Sequence, residues 1–195
     1  MWQQLRDTIF YVPDQIDIIS FVGRVIAFFL FLVWGAYFIW IDIDTLGNTN
    51  SLMHNINLPF HEAGHVFFSP FGRFIHVLGG TLGQLLMPTI VMLHFVFYQQ
   101  DTFGGAVGLW WLGQNFIDCA PYINDARAGE LMLVSGTTGQ ETPDIHDWYN
   151  ILSDLNGLAY DHALARVADG MGILLILLAL LWGMTILILQ FRHLE

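Results

Sequence analysis

"MGILLILLALLWGMTILILQF", residues 171–191, contains no charged side chain. About 20 apolar residues in helical conformation cross a bilayer's hydrocarbon core, and this run has that length. Three further apolar runs precede it: "VIAFFLFLVWGAYFIWI" (25–41), "VLGGTLGQLLMPTIVMLHFVFY" (77–98) and "FGGAVGLWWLGQNFIDCAPYI" (103–123). Together they predict an all-α fold, a polytopic helical membrane protein with about four transmembrane helices in a single membrane domain spanning 1–195. Composition points the same way. Of 195 residues, 55% are hydrophobic and 12% charged, against about 25% charged in soluble domains. Membrane lipid is therefore an expected partner. The net charge is −11, with six basic residues, all Arg. Nucleic acid is excluded as a partner, because phosphate binding needs clustered Lys and Arg. The lone Cys119 rules out an internal disulfide framework and a multi-Cys zinc site. Residues 1–20 mix apolar and acidic side chains, which suits a short surface helix and not a cleavable signal peptide.

The stretch "LPFHEAGHVFFSPFG", residues 58–72, differs from these runs. Ser69, Pro70 and Gly72 interrupt it, and Pro70 disfavours helix at Ser69. A half-helix from Pro59 to Phe68 followed by a turn is expected, with Pro59 in the first helical turn. Irregular backbone at membrane depth is tolerated only inside protein or beside a cavity, so this segment reads as re-entrant. Gly79 and Gly80 further argue against one continuous helix from His76 to His94.

On a helix, residues four apart share a face. His61 and His65 can therefore offer two imidazole nitrogens to one metal ion, with Glu62 within reach of a water on that metal. Zinc lowers the pKa of such a water to about 7, and a glutamate takes its proton as it attacks a carbonyl. This is the chemistry of H-E-x-x-H hydrolases. By residue frequency alone, the pattern arises in roughly one chain in 150 of this length and composition. Ionisable groups at membrane depth are also functional candidates by default.

A catalytic zinc site needs a third protein ligand. Asp118 lies inside an apolar run, where an unpaired carboxylate is costly, and ranks first. Asp125 lies farther on and ranks second, with pairing to Arg127 in solvent as its plainer reading. The region 122–168 reads as an extramembrane loop with a short helix, carrying "PDIHDWYN" (143–150). His146 is the third choice of ligand, and Asp147 suits an outer contact orienting a metal-bound histidine. The alternative for this stretch is a helix start with Asp144 as N-cap and Trp148 as anchor. Gln114 and Asn115 suit interhelical hydrogen bonds. His54, His162 and His193 read as interface or solvent residues. With four spans, Arg6, Arg24 and Arg192 share one side, and the positive-inside rule puts both termini in the cytoplasm.

HEAGH at the start of an apolar segment, then "GGTLGQLLMP" and "QNFIDCAPYIND", resembles the site-2-protease class of intramembrane zinc metalloproteases over residues 58–125. The resemblance implies zinc held by His61, His65 and Asp118 or Asp125, Glu62 as general base, and Asn115 as a substrate or oxyanion contact. It implies a membrane-associated protein substrate. Neither Asp118 nor Asp125 is followed by the Gly usual in that class. The competing reading is a non-catalytic subunit of a membrane complex, bound to partner subunits and keeping a structural metal site closed by four protein ligands.

Overall fold

The computed structural model describes residues 2–194. Among them the regular structure is helical: α1 Trp2–Ile9, α2 Ile18–Trp40, α3 Ile43–Gly47, α4 Leu52–Phe68, α5 Arg73–His94, α6 Thr102–Asn124, α7 Asp147–Asp154 and α8 Asp161–Phe191. Among the described residues, extended pairing is limited to two isolated bridges, Ile16 with Leu194 and Met132 with Thr138. Among the described residues, three segments are long and apolar enough to cross a membrane: Ile18–Trp40, Arg73–Gln99 and Leu158–Phe191. The run at 103–123 is helical, as α6, yet does not stand with those three. Gln114, Asn115 and Asp118 lower its hydropathy, and all three are buried.

The chain divides into two units. The first comprises Met1–Trp40, Pro88–Gln114 and Ile173–Glu195. Phe28, Phe103, Ile186 and Leu187 form its core. Trp110 sits against Gly35, where a Cβ would come within 2.8 Å of the indole nitrogen, so only glycine admits the ring. Trp182 donates through its indole to the Ile9 carbonyl at 2.9 Å. Ile19, Leu30, Val33 and Trp40 on α2 face outward. An apolar outer face of this extent suits hydrocarbon better than water.

The second unit comprises Ile41–Met87 and Asn115–Gly172. Here α4 starts at Leu52, so Pro59 lies inside the helix and not in its first turn. Tertiary contact explains the earlier start: Met53, Asn57 and Gly64 are the buried positions, spaced to share a face. The helix ends at Phe68, a 3-10 turn covers Ser69–Phe71, and Gly72 takes φ +94°, which L side chains rarely adopt. α5 then runs unbroken through Gly79 and Gly80. These glycines are packing positions and do not break the helix. A Cβ on Gly64 would collide with the Gly79 carbonyl, and one on Gly83 would lie 2.5 Å from the Phe60 carbonyl oxygen. Backbone therefore meets backbone along this seam.

Beyond α6 the loop is tied down by polar contacts. Arg127 Nε donates to the buried Asp161 at 2.7 Å, and α8 begins at Asp161, inside the region expected to be loop. Arg73 donates to Asp154 at 2.8 Å and to Asn150 at 2.7 Å, holding α7 against the start of α5. Cys119, Ile123 and Ala165 form an apolar cluster against which Trp148 packs.

Candidate metal centre

His61 and His65 lie one helical turn apart on α4, with ring centroids 4.8 Å apart. Asp147, the first residue of α7, brings Oδ2 to 2.9 Å from His61 Nε2 and 3.1 Å from His65 Nε2. One donor atom from each residue lies within 4.8 Å of the others. Zinc bonds of about 2.0–2.2 Å separate donors at tetrahedral corners by about 3.3 Å, so the trio has the right scale.

The opposite ring nitrogens decide the tautomers. Gln84 Nε2 donates to Asp118 Oδ2 at 2.8 Å, which turns Gln84 Oε1 toward His61. His61 Nδ1–H then donates to that oxygen at 3.2 Å. His65 Nδ1–H donates to the His76 carbonyl at 2.9 Å. With both Nδ1 atoms protonated, each neutral ring turns an Nε2 lone pair toward the Asp147 carboxylate. Three acceptors converge, an arrangement that needs positive charge between them: a proton on each ring, or a metal ion. Burial by itself would raise the Asp147 carboxyl, but when both Nε2 atoms carry protons the bonds they donate outweigh it and hold it at about 2. Gly80 supplies the space. A Cβ there would lie 2.5 Å from both His61 Nε2 and His65 Nε2.

The site opens into a cavity of about 650 Å³. Glu62, exposed on the same helix, lines it beside the two histidines. Leu58, Val77, Leu133, Val134, Ile145 and Trp148 give it an apolar flank.

The remaining candidate ligands and contacts from the sequence are placed as follows. Asp118 lines the cavity but does not meet the two histidines. Its Oδ2 accepts from Gln84, from Asn57 Nδ2 at 3.1 Å and from His54 Nδ1 at 3.2 Å. The buried carboxylate does have partners, but they are side-chain donors, and it reaches His61 only through Gln84. The carboxylate at the histidines is Asp147, which the sequence ranked as an outer contact. Asp125 accepts from the backbone N–H of Glu130 at 2.8 Å and of Leu131 at 3.1 Å. Its Oδ2 also accepts from His146 Nε2 at 3.3 Å. His146, 1% exposed, is committed at both nitrogens, since its Nδ1 accepts the Tyr149 N–H as the N-cap of α7. That cap is His146 and not Asp144. Asn115 is fully buried and does not line the cavity.

Gln84, His76, Gly80 and the His54–Asn57 pair were missed as contributors. A glutamine four residues past a glycine pair in an apolar helix was the available signal for Gln84. His54, taken for an interface or solvent residue, bonds Asp118. Comparison with family models, with curated proteins and with solved structures gives no match for this chain.

Proposed function

We propose that the chain is a membrane-embedded zinc metallopeptidase of the site-2-protease kind, with His61, His65 and Asp147 as ligands and Glu62 as general base. The observation that carries this reading is the convergence of two Nε2 lone pairs and one carboxylate in a cavity that Glu62 also lines. Zinc, when bound, supplies a Lewis acid and a water acidic enough to ionise near neutral pH. Gln84 and the His76 carbonyl fix the tautomers of the two ligand rings. Glu62 takes the proton of the attacking water on a carboxylate oxygen and passes it to the leaving amine. The apolar flank takes an apolar side chain of a membrane-associated protein substrate.

About four spans accommodate this site, with α6 as the fourth, α4 as a half-inserted element, and both termini cytoplasmic. Three protein ligands leave a coordination position open, which favours a catalytic site over a structural site in a non-catalytic subunit. Zinc analysis of the detergent-purified protein tests the assignment. Wild type and Glu62→Gln should hold one equivalent, and His65→Ala and Asp147→Ala should hold almost none. Equal zinc in wild type and Asp147→Ala would remove Asp147 from the ligand set.

A further inference from the structure

His54, Leu58, His61 and His65 on α4 have the spacing of one helical face, and all four line the cavity. At 1.5 Å per residue, His54 lies about 10 Å along the helix axis from His61. It is too far to meet a metal held by His61 and His65, yet it stands on the line they begin. An extended peptide advances about 3.3 Å per residue. A chain that starts at the metal and follows α4 therefore reaches His54 with its third residue.

The polar contacts of His54 fix its tautomer. Its Nδ1–H donates to Asp118 Oδ2 at 3.2 Å, an oxygen also held by Gln84 and Asn57. The Asp118 side chain is 4% exposed and that of His54 is 29% exposed. The Nδ1 edge of the ring is thus against the wall, and Nε2 stands on the opposite edge. Tyr122 stacks on the ring with centroids 5.6 Å apart and also lines the cavity. Its hydroxyl lies 3.5 Å from His54 Nε2, longer than a well-formed hydrogen bond. The neutral ring therefore offers the cavity an Nε2 lone pair with one distant partner.

A lone pair selects a donor. Glu62, Asp144 and Asp147 line the same cavity, so its wall favours a donor over a carboxylate. The apolar side chains that suit Leu58 and the apolar flank carry no donor. The backbone N–H does, and it recurs at every residue of a peptide except proline.

Resting on the peptidase reading, we propose that His54 is a substrate-contacting residue whose Nε2 accepts a hydrogen bond from the backbone N–H of the third residue of a peptide extending from the metal along α4. No proton is transferred. The contact fixes the register of the peptide against the site, and Asp118 holds the ring for it.

Two probes, mercaptoacetyl-trileucine amide and acetyl-trileucine hydroxamate, test the contact by calorimetric titration into the zinc-loaded full chain. Each is anchored on the metal at one end, and they run from it in opposite chain directions. Each is compared with its ester analogue, in which oxygen replaces the N–H of the leucine farthest from the metal. In at least one direction the ester should bind wild type about tenfold more weakly than the amide. His54→Asn keeps a donor for Asp118 and lacks the Nε2 acceptor. It should hold zinc as wild type does, bind that amide about tenfold more weakly, and bind amide and ester within about twofold of each other. Equal affinity of amide and ester for wild type in both directions overturns the contact, and this comparison needs no variant. An ester loss as large in His54→Asn as in wild type overturns it in favour of another acceptor. Wild type without zinc overturns the peptidase reading and this role with it.

Discussion

His65 and His76 exchange hydrogen bonds: His65 Nδ1 donates to the His76 carbonyl at 2.9 Å, and His76 Nδ1 donates to the His65 carbonyl at 2.8 Å. The pair pins α4 to α5 at the level of the candidate metal centre. Only the His76 carbonyl orients the His65 ring, so the His76 side chain is dispensable for ligation. His76→Ala should lower stability by about 1 kcal/mol, the usual net value of one hydrogen bond. Its zinc stoichiometry should match wild type. Loss of zinc in this variant would make His76 a ligand.

Gly80 allows the proposed metal binding to be tested apart from folding. Alanine is favoured over glycine inside a helix by about 1 kcal/mol, yet here its Cβ would stand 2.5 Å from His61 Nε2 and His65 Nε2. Gly80→Ala should keep wild-type helicity by circular dichroism and lose its zinc. Full zinc occupancy in this variant would show that the rings coordinate from another position.

Gln84 carries the influence of Asp118 to His61. Gln84→Ala removes the acceptor that fixes the His61 tautomer and leaves the three ligands in place. Zinc affinity should fall by about 10- to 100-fold, as for other outer contacts, and Asp118→Asn should fall in the same range. Asp147→Ala should lose far more. A chelator competition series ranks them, and a larger loss for Asp118→Asn than for Asp147→Ala would reverse the assignment.

Asp125 gives the loop an acid-sensitive anchor. Burial raises its carboxyl, but the bonds from His146, Glu130 and Leu131 outweigh this and leave it below the ordinary carboxylate value. A group depressed in the folded state contributes its stability above the unfolded pKa and loses it as pH falls through the folded one. The loop that delivers Asp147 should therefore loosen below about pH 4, read as exposure of Trp148 by fluorescence quenching. Asp125→Asn should show the looser loop already at pH 7 and a flatter profile in acid.

The helical class was legible because lipid-length apolar runs need no tertiary information to recognise. That His61 and His65 share a face of α4 was legible because they are four apart. The start of α4 was not, because Asn57 earns its place in the helix by bonding Asp118, sixty-one residues later in the chain. The direct approach of Asp147 to both histidines was hidden for a related reason. A carboxylate in a polar loop carries no local sign of burial, and only the fold-back secured by Asp125, Asp161 and Arg73 turns it inward. Asp118 is the carboxylate most in need of a partner by sequence, and it finds partners in Gln84, Asn57 and His54.

The glycine seam of Gly64, Gly79 and Gly83 has a consequence for insertions and deletions. Main chain against main chain leaves no side chain to repack, so the two helices have one phase that fits. Adding or removing one residue between Phe68 and Arg73 would rotate α5 by about 100° relative to its connection. Gly80 would swing away from the imidazoles, and a larger residue would face them instead. The short turn between α4 and α5 is thus a spacer of fixed count, in which length matters more than the identity of its side chains.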